Sequence, residues 1–244
     1  MSITLTWVGH ATWFVDTGEG VLLVDPFFDE NPAACMKAAD AACDAILVTH
    51  GHADHVGDLV AVARRTGAPV LCNWEIAQWL SSQGIADVRP MNLGGRGPVP
   101  GGIAKMEIAH HSSSLPDGSY GGTAAGWLLD VAGVRAYFAG DTALFSDMER
   151  IGRRDPRGRG IDVAIVPIGD VFTMGPDDAI EAVRLLAPQL VLPQHYDTWP
   201  PIRQDAAAWA RRVTEATGAD ARALRPGERV RIDSVADASG VARR

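Results

Sequence analysis

Histidine placement carries most of the legible chemistry in this 244-residue chain, which has seven of them. His50, His52 and His55 fall within Thr49-His50-Gly51-His52-Ala53-Asp54-His55. That segment directly follows Ala45-Ile46-Leu47-Val48, an apolar run suited to a strand buried on both faces. Residues two apart on an extended backbone project to one side, so His50 and His52 can grip one metal ion. A turn into helix then lets Asp54 and His55 reach a second ion. Gly51 and Ala53 are small enough for the backbone to crowd both. Imidazole mixed with carboxylate suits divalent zinc, manganese or iron.

A site for two ions needs further donors, and distant segments supply them. Ala109-His110-His111-Ser112 offers one histidine, from either of two positions. Gly140-Asp141-Thr142 offers a carboxylate able to bridge two ions, and Gln194-His195-Tyr196 offers a last histidine. Each stands at a predicted strand end, where rigid elements hold donor geometry. His50, His52 and one of His110 or His111 would hold the first ion. Asp54, His55 and His195 would hold the second, with Asp141 between them. The expected cofactor is two divalent ions per chain, zinc ahead of manganese. Paired ions lower the pKa of a shared water, so the expected reaction is attack by hydroxide on a carbonyl or phosphoryl centre. The other ion or a proton from Asp54 would then receive the leaving group. Tyr196 reads either as a donor to the substrate oxyanion or as a packed aromatic. His10 reads as an extra or supporting partner of the metals, or as a brace for its loop.

Strand and helix signals alternate along the chain that must position these groups. The spacing predicts strands at Ile3–Val8, Thr12–Asp16, Val21–Val24 and Ala45–Val48, then helices over Val56–Arg65 and Glu75–Ser82. Further strands are predicted at Ile103–Ala109, Ala125–Asp130, Val134–Ala139, Ile161–Val166 and Leu190–Leu192. A helix opens at Pro176 and ends near Ala187, another spans Gln204–Thr217, and two short strands and a polar tail follow. Two hairpins echo each other: Trp13 to Asp25, and Trp127 to Asp141, each with a second strand that leads into an aspartate. The echo fits a duplicated unit whose two sheets bring their strand ends to a shared edge. Histidines lie on both sides of the Gly- and Pro-rich stretch Gly94–Gly102, so it reads as a loop inside one domain covering residues 1–244.

Asp25, His50-Gly51-His52-Ala53-Asp54-His55, His111, Asp141 and His195 resemble, in this order, the motifs of the metallo-β-lactamase superfamily over nearly the whole chain. Trp7-Val8-Gly9-His10-Ala11-Thr12, His111-Ser112-Ser113-Ser114, Gly140-Asp141-Thr142 and His195-Tyr196 are similar to a branch of short bacterial metal-dependent hydrolases. That branch shares features with the ascorbate-6-phosphate lactonase-like and N-acylphosphatidylethanolamine phospholipase D-like proteins. The resemblance implies a four-layer αβ/βα sandwich with the metals at one edge of the two sheets. It favours His111 over His110, because the family's ligand directly precedes the serine run. It also places Asp25 beside a metal-bound histidine or in support of its loop. Redox members usually carry a glutamate where His52 stands, and nucleic-acid-processing members carry a long insertion for which there is no room between Asp141 and His195.

Composition narrows the class further. Apolar residues make up 47% and charged residues 21%, an ordinary globular balance. With 22 basic and 30 acidic residues the net charge is −8, which disfavours nucleic acid and anionic membrane as partners. No apolar run approaches the roughly 20 residues that span a bilayer, and the first residues do not read as a signal peptide. Cys35, Cys43 and Cys72 are an odd set without a CxxC pair, which suits reduced thiols in the cytoplasm. The expectation is a cytoplasmic hydrolase of a small ester, lactone, amide or phosphodiester. The alternatives are a phosphodiesterase or nuclease acting on nucleic acid, and a metal-bearing sensor without turnover. Arg150, Arg153, Arg154, Arg157 and Arg159 would recruit a phosphorylated or carboxylated substrate or form a solvated loop. Trp74, Trp79 and Trp199 would wall a pocket, form a homo-oligomer interface or pack in the core.

Overall fold

The computed structural model describes residues 1–234; the polar tail, residues 235–244, lies outside the described residues. The first sheet begins with β1 (Ser2–Gly9), β2 (Thr12–Asp16), β3 (Val21–Val24), β4 (Ala45–Leu47), β5 (Val70–Asn73) and β6 (Val88–Met91). The second holds β7 (Arg96–Val99), β8 (Gly102–Ile108), β9 (Ala125–Val131), β10 (Val134–Phe138), β11 (Val163–Pro167), β12 (Leu190–Gln194) and β13 (Asp220–Ala221). The chain then returns through β14 (Arg229–Asp233) to pair antiparallel with β1.

Side-chain alternation sorts the apolar residues into layers. Leu22, Val24, Leu47 and Leu71 face Trp127, Leu129 and Met106 across the space between the sheets. Their neighbours Leu23, Ile46, Val70 and Cys72 point the other way, under α1 (Ala53–Val56), α2 (Leu59–Thr66) and α3 (Trp74–Ser82). α4 (Met148–Gly152), α5 (Pro176–Leu186) and α6 (Ala206–Thr217) cover the second sheet through residues such as Met148, Val183 and Trp209. The result is the expected αβ/βα sandwich. Asn73 accepts from the Ile76 amide to start α3, and Asp205 accepts from the Ala208 amide to start α6, caps worth about 1 kcal/mol each. Among the described residues, no helix is long and apolar enough to cross a membrane.

The hairpin echo is structural. β2–β3 and β9–β10 are antiparallel hairpins, each followed across its sheet by three parallel neighbours. Matching strand ends therefore face one another along one edge. The backbone turns there through the left-handed region at His10 (φ 56°), Asp25 (φ 48°), Gly140 (φ 64°) and His195 (φ 55°). Non-glycine residues seldom adopt this region, and their clustering marks a functional edge.

Two local expectations need correction, and two elements lie where none was predicted. The stretch Gly94–Gly102 is not all loop: Arg96–Val99 forms β7, at the end of the second sheet. Pro98 is tolerated because an edge strand leaves one side without ladder bonds; β6, with Pro90, likewise went unread at the edge of the first sheet. The helix expected over Val56–Arg65 is two pieces, because Asp58 turns its carboxylate to the amides of Phe28 and Asp29. Met148–Gly152 is a short helix that carries no sequence signal of its own.

Candidate metal centre

Asp25, just past β3, organises the segment that follows β4. Its Oδ1 accepts from the Thr49 amide at 2.8 Å, and its Oδ2 accepts from the Thr49 hydroxyl at 2.6 Å and from His55 Nδ1 at 2.8 Å. With its proton given to Asp25, the Thr49 hydroxyl accepts from His50 Nδ1 at 3.0 Å. His50 and His55 thus hold their protons on Nδ1 and turn their Nε2 lone pairs into the centre. This is how supporting hydrogen bonds select the ligating tautomer.

Asp141 enters from the second sheet. A Cβ at Gly140 would lie 2.7 Å from the Ala125 carbonyl oxygen, so this left-handed turn needs glycine. Asp141 Oδ2 lies 3.1 Å from His195 Nε2, 3.4 Å from His55 Nε2, 3.6 Å from His111 Nε2 and 4.0 Å from His50 Nε2. His52 Nδ1 is 3.0 Å from His50 Nε2. Asp54 Oδ2 is 3.1 Å from His10 Nε2, 3.5 Å from His195 Nε2 and 4.0 Å from His55 Nε2. Among the described residues, three sets have donor atoms mutually within 4.8 Å: His50, His52 and His111; His50, His55 and Asp141; and His10, Asp54, His55 and His195.

These donors fit divalent ions. His55 Nε2, Asp141 Oδ1 and His195 Nδ1 are buried without a hydrogen-bond partner, a condition that costs about 1–3 kcal/mol per group. Lone pairs converging on one carboxylate oxygen repel unless a cation lies among them. The charges of the free groups show the same strain. Burial, then His55, pushes His50 well below the ordinary histidine range. Burial opposes ionisation of Asp141, but His195 and His55 outweigh it and hold the carboxylate far down. His195 is lowered by burial yet raised more by Asp141, and stands at about 9.

His10 is fully buried inside this cluster, with Nδ1 2.7 Å from the Thr198 hydroxyl and its ring 5.0 Å from Trp199. Its carbonyl accepts from the His195 amide at 3.1 Å, which ties the β1 turn to the β12 turn. Other candidates stay outside. His110 is exposed and stacks on Phe145 at 4.7 Å, while its neighbour His111 points to Asp141. The Tyr196 hydroxyl donates to the Leu224 carbonyl at 3.4 Å and its ring stacks on Trp7, so it does not join the donors. Arg159 pairs with Asp130 and Asp155, at the opposite end of the β9–β10 hairpin.

Sequence reasoning gave no separate role to Thr49, Thr198, Ser113 and Gly169, although Ser113 stands in the serine run and Gly169 in Pro167-Ile168-Gly169, both similar to the hydrolase branch. The Ser113 hydroxyl accepts from the Gly51 amide at 3.0 Å and pins the His-x-His turn. Nothing local shows what such residues touch, because their partners are far away in sequence. Gly169 is the sharpest case: a Cβ there would lie 2.2 Å from the His195 carbonyl oxygen. Gly169→Ala is expected to destabilise the fold by about 1–3 kcal/mol through overpacking and to weaken metal binding by moving His195. Urea melts and metal titration check both; wild-type values in each would show that His195 has room to move.

Residues 21–196 match the family described as Beta-lactamase superfamily domain. A UPF0173 metal-dependent hydrolase of Thermus thermophilus is 46% identical over 231 residues, covering 95% of this chain and 100% of the relative. One from Heliobacterium modesticaldum is 39% identical over 232 residues, covering 94% and 97%. The solved structure of Igni18, described as a novel metallo hydrolase from Ignicoccus hospitalis, superposes with a TM-score of 0.85 at 33% identity, covering 96% of this chain and 99% of that one. The matched domain spans the histidine-bearing edge and the relatives span nearly the full length, so the chain belongs to the metallo-β-lactamase superfamily, in its UPF0173 group of metal-dependent hydrolases.

Proposed function

We propose that the protein binds two divalent ions where the two sheets meet and hydrolyses an ester, lactone, amide or phosphodiester bond of a small molecule. One observation carries the reading: four imidazole nitrogens lie 3.1–4.0 Å from the single oxygen Asp141 Oδ2, beside buried donors that have no partner. His50, His52 and His111 would hold one ion, Asp54, His55 and His195 the other, and Asp141 would bridge them. The predominance of imidazole favours zinc, with manganese the alternative. When bound, such a pair supplies a water deprotonated near neutral pH and a Lewis acid for the scissile centre.

The chain's own groups divide the remaining work. The Asp54 side chain keeps 28% exposure against 3% for Asp141. Burial opposes its ionisation, but His55 and His10 outweigh it and hold the carboxylate ionised. Asp54 is thus placed to take up a proton released by the attacking water and pass it to the leaving group. His10 and Thr198 hold Asp54 in place, and Asp25 with Thr49 orients His50 and His55. Phe27 and Trp199 pack on His10 and keep water from that side. Tyr196 is left a packing role. Beyond β11, Asp170 (φ 63°) and Val171 (φ 54°) hold Val171 and Phe172 out in solvent, and the Met174 amide donates to the Thr142 carbonyl beside Asp141. A β-branched residue at positive φ is strained, and the exposed pair favours a substrate with an apolar portion beside the scissile bond. The acidic net charge argues against nucleic acid, and the three free thiols suit a cytoplasmic setting.

Elemental analysis of purified protein is expected to find close to two ions per chain. His52→Ala is expected to leave about one and to remove most hydrolysis of a lactone, thioester and phosphodiester panel. No bound metal after reconstitution with zinc and manganese would overturn the reading.

A further inference from the structure

A cavity of about 400 Å³ lies on the outer face of the second sheet, away from the candidate metal centre. Ala104, Met106 and Leu129 point into the core, so the alternating residues Ile103, Lys105, Leu128 and Asp130 face outward. Lys105 stands opposite Leu128 on one side and Arg96 on the other, and Asp130 opposite Ile103 and Arg135. The segment Asp155–Arg159 closes over this face. Arg135 stands near the start of β10 and Asp141 beyond its end, so the two sites lie at opposite ends of the strand.

The cavity has a volume typical of small-molecule sites, and its charge is unlike that of the whole protein. Five cationic and two acidic side chains line it, a local surplus of three positive charges in a chain with a net charge of −8. Two of the cations build the wall. Arg159 bonds Asp130 and Asp155, and Arg135 donates to the carbonyls of Arg153 and Arg159. Lys105 pairs with Glu107. The guanidinium groups of Arg96 and Arg157 have no protein partner among the described residues, and both side chains are exposed. Beside them runs an apolar strip of Ile103, Leu128 and Pro156, with Ile103 49% exposed on an open sheet face. Free arginine forks match phosphate oxygens, and guanidinium and aliphatic surfaces accept a flat ring.

We propose that this cavity binds a small organic phosphate, its anionic group gripped by Arg96 and Arg157 and its ring or carbon part laid on Ile103, Leu128 and Pro156. The ligand is bound and not turned over there, since the lining groups that could act as nucleophile or base, Asp130, Asp155 and Lys105, are all held in ion pairs. The site does not depend on the hydrolytic reading of the metal centre.

ADP is the probe, titrated calorimetrically into the metal-loaded full chain. One saturable site is expected, weakened about tenfold or more in Arg96→Ala/Arg157→Ala, as loss of charged hydrogen bonds implies. Metal content and hydrolysis should be unchanged in that variant, because neither arginine supports the fold or the centre. Asp141→Ala, disabled at the metals, should keep ADP binding within about twofold. Binding that survives the double arginine change but is lost in Asp141→Ala would place ADP on the metals and overturn the proposal. No saturable binding would overturn it too. So would inorganic phosphate binding as tightly as ADP, since the apolar strip would then have no role.

Discussion

Asp141→Asn is expected to lose bound metal and to slow hydrolysis by roughly 10³-fold, the scale of removing a charged group from a preorganised site. The amide has the shape of the carboxylate, so the fold should persist. What disappears is the negative charge at the point where His50, His55, His111 and His195 converge. Elemental analysis beside turnover on the substrate panel checks the expectation; two ions and an unchanged rate would remove Asp141 from the centre. The metal-free variant offers a second reading. In the wild type, burial lowers His195 but Asp141 raises it more, from an ordinary 6.5 to about 9. A raised pKa gives stability that is complete below the unfolded value and fades as pH climbs through the folded one. The metal-free wild type should therefore lose stability between about pH 6.5 and 9. In Asp141→Asn that loss should shrink, and urea melts across the range would show it.

Asp25→Ala is expected to weaken metal binding by about 10–100-fold, the usual cost of losing a group that orients a ligand. It should also destabilise the protein by on the order of 3 kcal/mol, because buried donors lose their acceptor. Asp25 holds the Thr49 amide and hydroxyl and His55 Nδ1, and the Thr49 hydroxyl in turn holds His50. One residue thus orients two of the candidate ligands. The position is left-handed (φ 48°), which asparagine adopts more easily than alanine. Asp25→Asn should keep more stability than Asp25→Ala yet still release His55, since one amide oxygen cannot accept all three bonds. Chelator competition and denaturant melts separate the two effects. Wild-type metal affinity in Asp25→Ala would mean that the histidines are oriented by packing alone.

The segment His50 to His55 was legible because its meaning is local. A buried strand, a turn and small residues at positions 51 and 53 restrict where the side chains can reach, whatever surrounds them. The apolar strands Ala45–Leu47 and Val163–Pro167 were legible for the same reason, since burial on both faces leaves its mark in composition. The hairpin echo was visible as well, and with it the expectation that two sheets share an edge. β6 and β7 were hidden because edge strands tolerate the proline and glycine that signal loops.

Residue types and local spacing thus determined that His50, His52, Asp54 and His55 crowd one turn at the end of a buried strand, with a donor set suited to metal. Tertiary structure decided which distant groups meet them. It buried His10 against Asp54, 44 residues away, and sent Tyr196 to Leu224, and it set Asp25 under His55 with Thr49 as go-between. It also carried Arg157 and Arg159 to the far end of the β9–β10 hairpin, where they line a cavity away from the candidate metal centre. The physical reason is that hydrogen-bond partners and register follow from packing two sheets face to face. Packing joins residues by position in space, and the partners of a strand-end side chain leave no trace in its own neighbourhood of the chain.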